Sequence, residues 1–202
     1  MNIRSKIYNQ FGQPTGIAGR IAGRVMAFNN KKRSKWTLQK LGFSPSDNIL
    51  EIGYGPGIIV NEIASILTAG FIAGIDHSEI MYNQANRRNK QHIQKKKVYL
   101  QKGTIDDLAF SAGTFDIIFG SNVHFFWDDQ VGAFRKLRQL IKPDGRLIMI
   151  FQPRWAMGKT NIEQIAMAAQ NQFKKAGFSD PQVDFMKNKT IKLIAVEGRK
   201  SK

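Results

Sequence analysis

Short apolar runs alternate with amphipathic stretches along most of the chain. The run over 48–52 ends in a cluster of glycines, and Ile58 to Leu67 then places apolar residues at helix spacing. The alternation repeats with a strand over 71–75 and a helix over 78–91 that Ser78 can cap. A strand over 98–101 follows, and then Phe115 to Phe119, nearly all apolar as a strand covered on both faces should be. A helix over 129–140 leads through a turn, Lys142-Pro143-Asp144-Gly145, into a strand over 146–151. The last helix, 161–175, stops at Gly177, and segments near 182–187 and 190–196 pair as a hairpin around Asn188. Strands alternating with helices predict an α/β three-layer sandwich around a mostly parallel sheet with right-handed crossovers, and the hairpin adds an antiparallel strand at one edge.

The chain before the first strand reads differently. Ile17, Ile21, Val25 and Phe28 share one face of a helix over 16–29, with Arg20 and Arg24 beside that stripe and Gly19 and Gly23 permitting close approach. A second short helix runs over 34–41, anchored by Trp36 and ended by Gly42. The expected division is an N-terminal helical lid, residues 1–35, ahead of a single domain over 36–202.

Composition narrows the chemistry. At 202 residues and 42% hydrophobic the chain fits one globular domain with a sizeable core. No run of 18 apolar residues suits a membrane span, and the basic N-terminus lacks the pattern of a secretory signal. The absence of cysteine removes disulfides, thiolate metal ligands and a cysteine nucleophile together. The three histidines show no metal-binding spacing, so no metal site is expected. The net charge of +16 is unevenly placed: residues 1–46 hold nine Lys or Arg and no acid. Further clusters lie at Arg87-Arg88-Asn89-Lys90, at Lys95-Lys96-Lys97 and at the C-terminal tail. A solvated face, an anionic membrane surface and nucleic acid all suit that charge, which does not choose among them.

The first strand runs through Glu51 into Gly53-Tyr54-Gly55-Pro56-Gly57 and then a helix, and a second strand ends on Asp76. A tight turn, a helix N-terminus and a carboxylate for ribose hydroxyls make a nucleoside-cofactor crevice. A dinucleotide fingerprint would need its third glycine where Ile58 stands. With Glu51 two residues before the first glycine, the pattern resembles motif I of the class I S-adenosylmethionine-dependent methyltransferases.

That resemblance implies a Rossmann-like fold with seven strands in the order 3-2-1-4-5-7-6, the last antiparallel. It implies S-adenosylmethionine as the cofactor. Gly53, Tyr54, Gly55 and Gly57 would line it, Glu51 would hold its methionine end, Asp76 would take the ribose hydroxyls, and His77 and Met81 would lie against the nucleoside. The segment from Lys102 to Phe110 resembles the family's loop after strand three, with Thr104 in the usual aspartate position. There Thr104 and the Ile105 amide would meet the adenine, with Asp106 as the second candidate for its amine. Gly120 and Ser121 open the segment in which backbone carbonyls hold the cofactor's amino group.

Methyl transfer from a sulfonium is an in-line displacement with a neutral leaving group, so orientation, desolvation and, for hydroxyl acceptors, a base are what an enzyme supplies. His124 is the expected base, with substrate contact without proton transfer and packing beside Phe125 and Phe126 as its competing roles. Asn122 is expected to orient an acceptor, and Phe126 and Trp127 to line an apolar pocket with Arg154 and Trp155 near its far side. Tyr8, Phe11, Ile17 and Ile21 are the lid contacts. Phe11-Gly12-x-Pro14-x-Gly16 with the basic-apolar helix after it resembles bacterial phospholipid-type methyltransferases and implies a small or amphiphilic acceptor, such as a quinone, phenol or phospholipid. The expected partners are that acceptor and an anionic membrane surface, in a monomer or weak dimer that is cytoplasmic and membrane-associated. An RNA methyltransferase and a non-catalytic S-adenosylmethionine-binding protein are the alternatives.

Overall fold

In the computed structural model of the chain, residues 32–153, 159–186 and 193–201 are described. Two compact units divide at Thr37, Met1–Thr37 and Leu38–Lys202. The expected helix over 16–29, its lid contacts Tyr8, Phe11, Ile17 and Ile21, and the acceptor contacts Arg154 and Trp155 lie outside the described residues. A first helix, α1, spans 32–41.

Seven strands form one sheet: β1 (Ile49–Ile52), β2 (Ile72–Asp76), β3 (Val98–Lys102), β4 (Phe115–Ser121), β5 (Ile141–Phe151), β6 (Ser179–Phe185) and β7 (Ile194–Arg199). Their spatial order is β3-β2-β1-β4-β5-β7-β6. The neighbours from β3 through β5 run parallel, and β7 is antiparallel to both β5 and β6. Helices α2 (Ile58–Ile66), α3 (Glu79–Gln94), α4 (Gln130–Leu140) and α5 (Lys159–Lys175) connect them. This is the Rossmann-like sandwich and the strand order expected.

Burial on both faces accounts for the apolar strands. Leu50, Ile52, Ala73, Ile75, Ile118, Leu147, Met149 and Phe151 form one core with Phe134 and Leu137 of α4 and with Ile162, Ala166 and Phe173 of α5. Residues of alternate register, Ile49, Ile72, Ile117 and Phe119, are buried on the opposite face. Phe115, Phe119, Phe134, Phe151 and Phe173 are fully buried, and each stabilises the fold by roughly 1.5–3 kcal/mol relative to exposure.

Helix ends follow local chemistry. Ser78 caps α3 by accepting from the Met81 amide at 3.4 Å, and Asp129 caps α4 by accepting from the Gly132 amide at 2.8 Å. Gly42, at φ 45°, ends α1 as expected.

Two boundaries differ from the sequence reading. The expected turn Lys142-Pro143-Asp144-Gly145 is a bulge inside β5: Phe115 pairs with Ile141 and Ile117 with Arg146, so residues 142–145 stand opposite Asp116 alone. Asp116 Oδ2 pins it, accepting from Lys142 Nζ at 2.7 Å and from the Asn48 amide at 2.8 Å. The terminal strands are also displaced from the expected 182–187 and 190–196. β7 runs on through Glu197, Gly198 and Arg199 because β5 and β6 pair with it on both sides, so polar residues there do not end it.

One half-buried cation ties Leu41 and Gly42, at the end of α1, to the sheet. Arg146, 16% exposed at its side chain, donates to the Leu41 carbonyl, to the Gly42 carbonyl at 3.0 Å and to Glu197 Oε1 at 3.4 Å. It thereby satisfies carbonyls that the end of a helix leaves open. Arg146→Ala should lower unfolding free energy by about 1–3 kcal/mol, since charged hydrogen bonds at a half-buried site are lost. Urea unfolding measures this, and an unchanged midpoint would show the contact to be inert.

Candidate active site

β1 ends at Ile52, and the next five residues reverse the chain into α2. Gly53, Gly55 and Gly57 have φ of 70°, 53° and 71°, left-handed values that glycine adopts without strain. The Gly53 amide donates to the Ile75 carbonyl at 2.7 Å, and the Gly57 amide to the Tyr54 carbonyl at 3.0 Å. Close approach adds a second constraint. A side chain at 53 would collide with Val123, and one at 57 would meet Asn89 Nδ2 at 2.7 Å and Ala85 Cβ at 2.8 Å. Gly57 is the N-cap of α2 and no side chain caps that helix, so amides of its first turn stay open to a ligand.

Two acids flank this turn in contrasting environments. Glu51 is 2% exposed and its Oε2 has no hydrogen-bond partner. Burial first, and then the neighbouring Asp76, hold its carboxyl well above the usual carboxylate range. Asp76, also buried, has both oxygens oriented by backbone: Oδ2 accepts from the Gly55 amide at 2.8 Å and Oδ1 from the Ser78 amide at 2.9 Å. Each oxygen retains further acceptor capacity. His77 is exposed beside it, with Nδ1 3.9 Å from Asp76 Oδ1, and Met81 is half-buried in the first turn of α3.

Tyr54 supports the turn from inside. Its hydroxyl donates to the Gln101 carbonyl at 3.1 Å, reaching from the end of β1 to β3. A β-carbon at Gly74, on the intervening strand, would lie 2.6 Å from the Tyr54 ring. Burial, then Asp76 and Tyr82, push the phenol above its usual range, so it remains a neutral donor.

Thr104 follows β3 but is engaged locally. Its hydroxyl donates to Asp107 Oδ2 at 3.0 Å and accepts from the Asp106 amide at 3.3 Å, while its own amide donates to Asp107 at 2.8 Å. These bonds hold the Asp107 carboxyl below the usual range and make a capping box for the short turn Ile105–Asp107. The pattern Thr-Ile-Asp-Asp is the signal that could have revealed it. Asp106, the second candidate for the adenine amine, is paired with Lys136.

After β4 the structure splits what the sequence had grouped. Gly120 pairs with Ile52, and the buried Ser121 Oγ has no partner. Asn122 takes φ 58°, donates its amide to the Ile150 carbonyl and accepts from the Gln152 amide at Oδ1, both at 2.8 Å. It holds the end of β5 with the side chain expected to orient an acceptor. His124 is 1% exposed, with ring centroids 3.8 Å from Phe125 and 4.7 Å from Phe151. Both ring nitrogens lack partners, and burial lowers its pKa to about 3. A general base needs access and a pKa near neutrality, and this ring has neither; its surroundings are those of the competing packing role. It belongs with the α4/α5 core, whereas Glu51 alternates onto the opposite face of the sheet. Trp127 packs edge-on to Phe134 at 5.7 Å, and Phe126 remains 50% exposed.

Glu51, the glycine turn, Asp76, His77, Met81, Thr104, Ile105, Gly120 and Ser121 thus gather at the C-terminal ends of the parallel strands β1–β4. Glu51 Oε2 and Ser121 Oγ are buried polar atoms lacking partners on adjacent strands, which suits the cationic amino group of S-adenosylmethionine. Asp76 suits its ribose diol, so the residues present fit this cofactor. Gly74 and Asn89, which shape the turn from neighbouring elements, carried no sequence signal of that role. Among the described residues no cluster of His, Asp and Glu could hold a metal ion.

Comparison with known proteins points the same way. A family described as "Methyltransferase domain" matches residues 49–145. The chain is 32% identical over 183 residues to the uncharacterized methyltransferase YdaC of Bacillus subtilis, covering 89% of this chain and 98% of that one. It is 29% identical to a malonyl-[acyl-carrier protein] O-methyltransferase of Legionella pneumophila, of which it spans 45%. Among solved structures, the S-adenosylmethionine-dependent methyltransferase SibL superposes with a TM-score of 0.73 at 14% identity, over 93% of this chain and 60% of that one; this likeness shows the shared fold. With its strand order, its glycine turn between two buried acids and a relative matched over nearly its whole length, the chain belongs to the class I S-adenosylmethionine-dependent methyltransferase family.

Proposed function

We propose that the protein transfers the methyl group of S-adenosylmethionine to a small or amphiphilic acceptor of the quinone, phenol or phospholipid-like class. The observation that carries this reading is the edge of the sheet where the cofactor residues gather. Ile58, Ile80 and Phe126 follow β1, β2 and β4 there and are 37%, 63% and 50% exposed. An apolar rim suits an acceptor with an apolar body. The basic run Lys95–Lys97 precedes β3 and so sits at the opposite edge of the sheet, away from this rim. A nucleic acid held by Lys95–Lys97 would lie away from the rim, so that run lends no support to an RNA acceptor. Among the described residues no helix is long and apolar enough to cross a membrane.

In this reading the chain's own residues act by placement. Asp76 and the turn amides hold the nucleoside, Glu51 answers the amino group, and the apolar rim strips water from the acceptor. The cofactor supplies an electrophilic methyl carbon when bound. His124 contributes as a neutral packing group, since its buried ring has little affinity for a proton at neutral pH.

Glu51 yields a test with two readouts. Its folded pKa is raised, so the native state loses stability as pH climbs through that value and the buried carboxyl must ionise. Glu51→Gln should therefore be more stable than the parent at pH 8, with the difference shrinking toward pH 4. It should also bind S-adenosylhomocysteine roughly tenfold more weakly, through loss of a charge-assisted contact. Thermal melts and calorimetric titration read the two effects, and undiminished affinity would remove Glu51 from the cofactor site.

His124 gives the opposite pH signature. Its folded pKa of about 3 lies below the unfolded value of roughly 6.5, so stability is lost as pH falls from 6.5 toward 3. His124→Phe should resist acid better, by on the order of 2–3 kcal/mol at pH 4.5. Denaturant unfolding across that range measures it. Equal acid sensitivity in the two proteins would show that the ring is not buried uncharged.

The acceptor class is tested by presenting labelled S-adenosylmethionine with quinones, phenols, phospholipid vesicles and RNA. Label should appear in one of the first three classes, and label in RNA alone would overturn the assignment. Phe126→Ser should raise KM for that acceptor by about three- to tenfold through lost apolar contact, with cofactor affinity unchanged.

A further inference from the structure

The glycine turn is gripped from α3 by a side chain outside the set that meets the cofactor. Asn89 is completely buried, an unusual position for an amide side chain. Its Nδ2 donates to the Gly57 carbonyl at 3.1 Å and to the Ala85 carbonyl at 2.9 Å. Its Oδ1 is buried without a partner, a cost that an apolar residue of similar volume would avoid. The same Gly57 carbonyl also accepts the first helical bond of α2, from the Asn61 amide at 3.2 Å. One residue earlier, Arg88 donates through Nη1 to the Pro56 carbonyl. Two successive carbonyls of the turn are therefore held toward α3.

A trans peptide fixes the consequence. The carbonyl and the following amide of one peptide unit point in opposite directions, so a grip on the Gly57 carbonyl aims the Ile58 amide away from α3. That amide heads α2, whose N-terminus no side chain caps. Gly57 is the place where this control is needed, because at φ 71° a glycine peptide can rotate at little cost unless something holds it.

We infer that Asn89 is a positioning residue for the cofactor: from behind the turn it sets the orientation of the Gly57–Ile58 peptide and so of the open amide at the head of α2. Arg88 assists at the neighbouring peptide. This rests on the assignment of the turn to S-adenosylmethionine. It explains why a buried position on an otherwise ordinary crossover helix holds an amide with one oxygen unsatisfied.

The test uses the full chain and S-adenosylhomocysteine as the probe. Asn89→Leu keeps the branched shape and removes the donors. Its melting temperature should stay within a few degrees of the parent, because the lost hydrogen bonds are offset by removing a buried orphan oxygen. Its affinity for S-adenosylhomocysteine should fall about five- to tenfold, and the ligand-free amide of Ile58 should exchange with solvent faster. Arg88→Ala, an exposed change that leaves the core intact, should weaken binding about two- to threefold by the same route. A folded Asn89→Leu protein that binds as tightly as the parent overturns the inference. If that variant does not fold, Asn89→Ser is judged by the same two readouts. Failure of the parent itself to bind the probe would instead overturn the cofactor assignment, and this inference with it.

Discussion

A chain that reverses from a central strand into a helix within five residues has backbone groups to dispose of, and the site follows from how they are disposed. The Gly53 amide completes the pairing with β2, the Gly57 amide closes on the Tyr54 carbonyl, and the Pro56 and Gly57 carbonyls are drawn to α3. The Gly55 amide goes to the Asp76 carboxylate. Such close approach leaves no room for β-carbons at 53 and 57. The crevice at the head of β1 and β2 is a result of this packing, and the position of every cofactor-facing group is measured from it.

The electrostatics depend on the same turn. Asp76 can be buried because two backbone amides accept the task of solvating it, whereas Glu51 lies one strand away with an oxygen unanswered. A cationic group placed against Glu51 Oε2 and Ser121 Oγ would offset the desolvation of that carboxyl. Under the proposed cofactor assignment, a cationic amino group there favours the ionised carboxylate, so binding would draw the proton from Glu51.

The segment after β4 shows the opposite allocation. Asn122, His124, Phe125 and Trp127 are adjacent in sequence and look like a lining, yet most of their contacts serve the fold. Asn122 extends the β4–β5 pairing, His124 and Phe125 pack edge-on against Phe151, and Trp127 rests on Phe134. Phe126 alone of these aromatics is half exposed at the site's edge. The short helical turn His124–Phe126 distributes consecutive side chains in different directions, so proximity along the chain does not become proximity in the site.

The sandwich, the strand order and the cofactor turn were readable in the sequence because each rests on local rules. Apolar runs mark buried parallel strands, the Gly53-Tyr54-Gly55-Pro56-Gly57 spacing permits one kind of reversal, and an acid at the end of the next strand faces it. What the residues do once packed depends on partners distant in the chain. The burial of His124 comes from Phe134 and Phe151, the grip of Asn89 on Gly57 spans 32 positions, and the Tyr54 strut needs Gly74 and Gln101. The bulge at 142–145 exists because Asp116 binds Lys142, and β7 continues through polar residues because β5 and β6 pair with both of its edges. Local propensity and pattern set the elements, but desolvation and hydrogen-bond satisfaction are sums over neighbours that only the folded chain brings together.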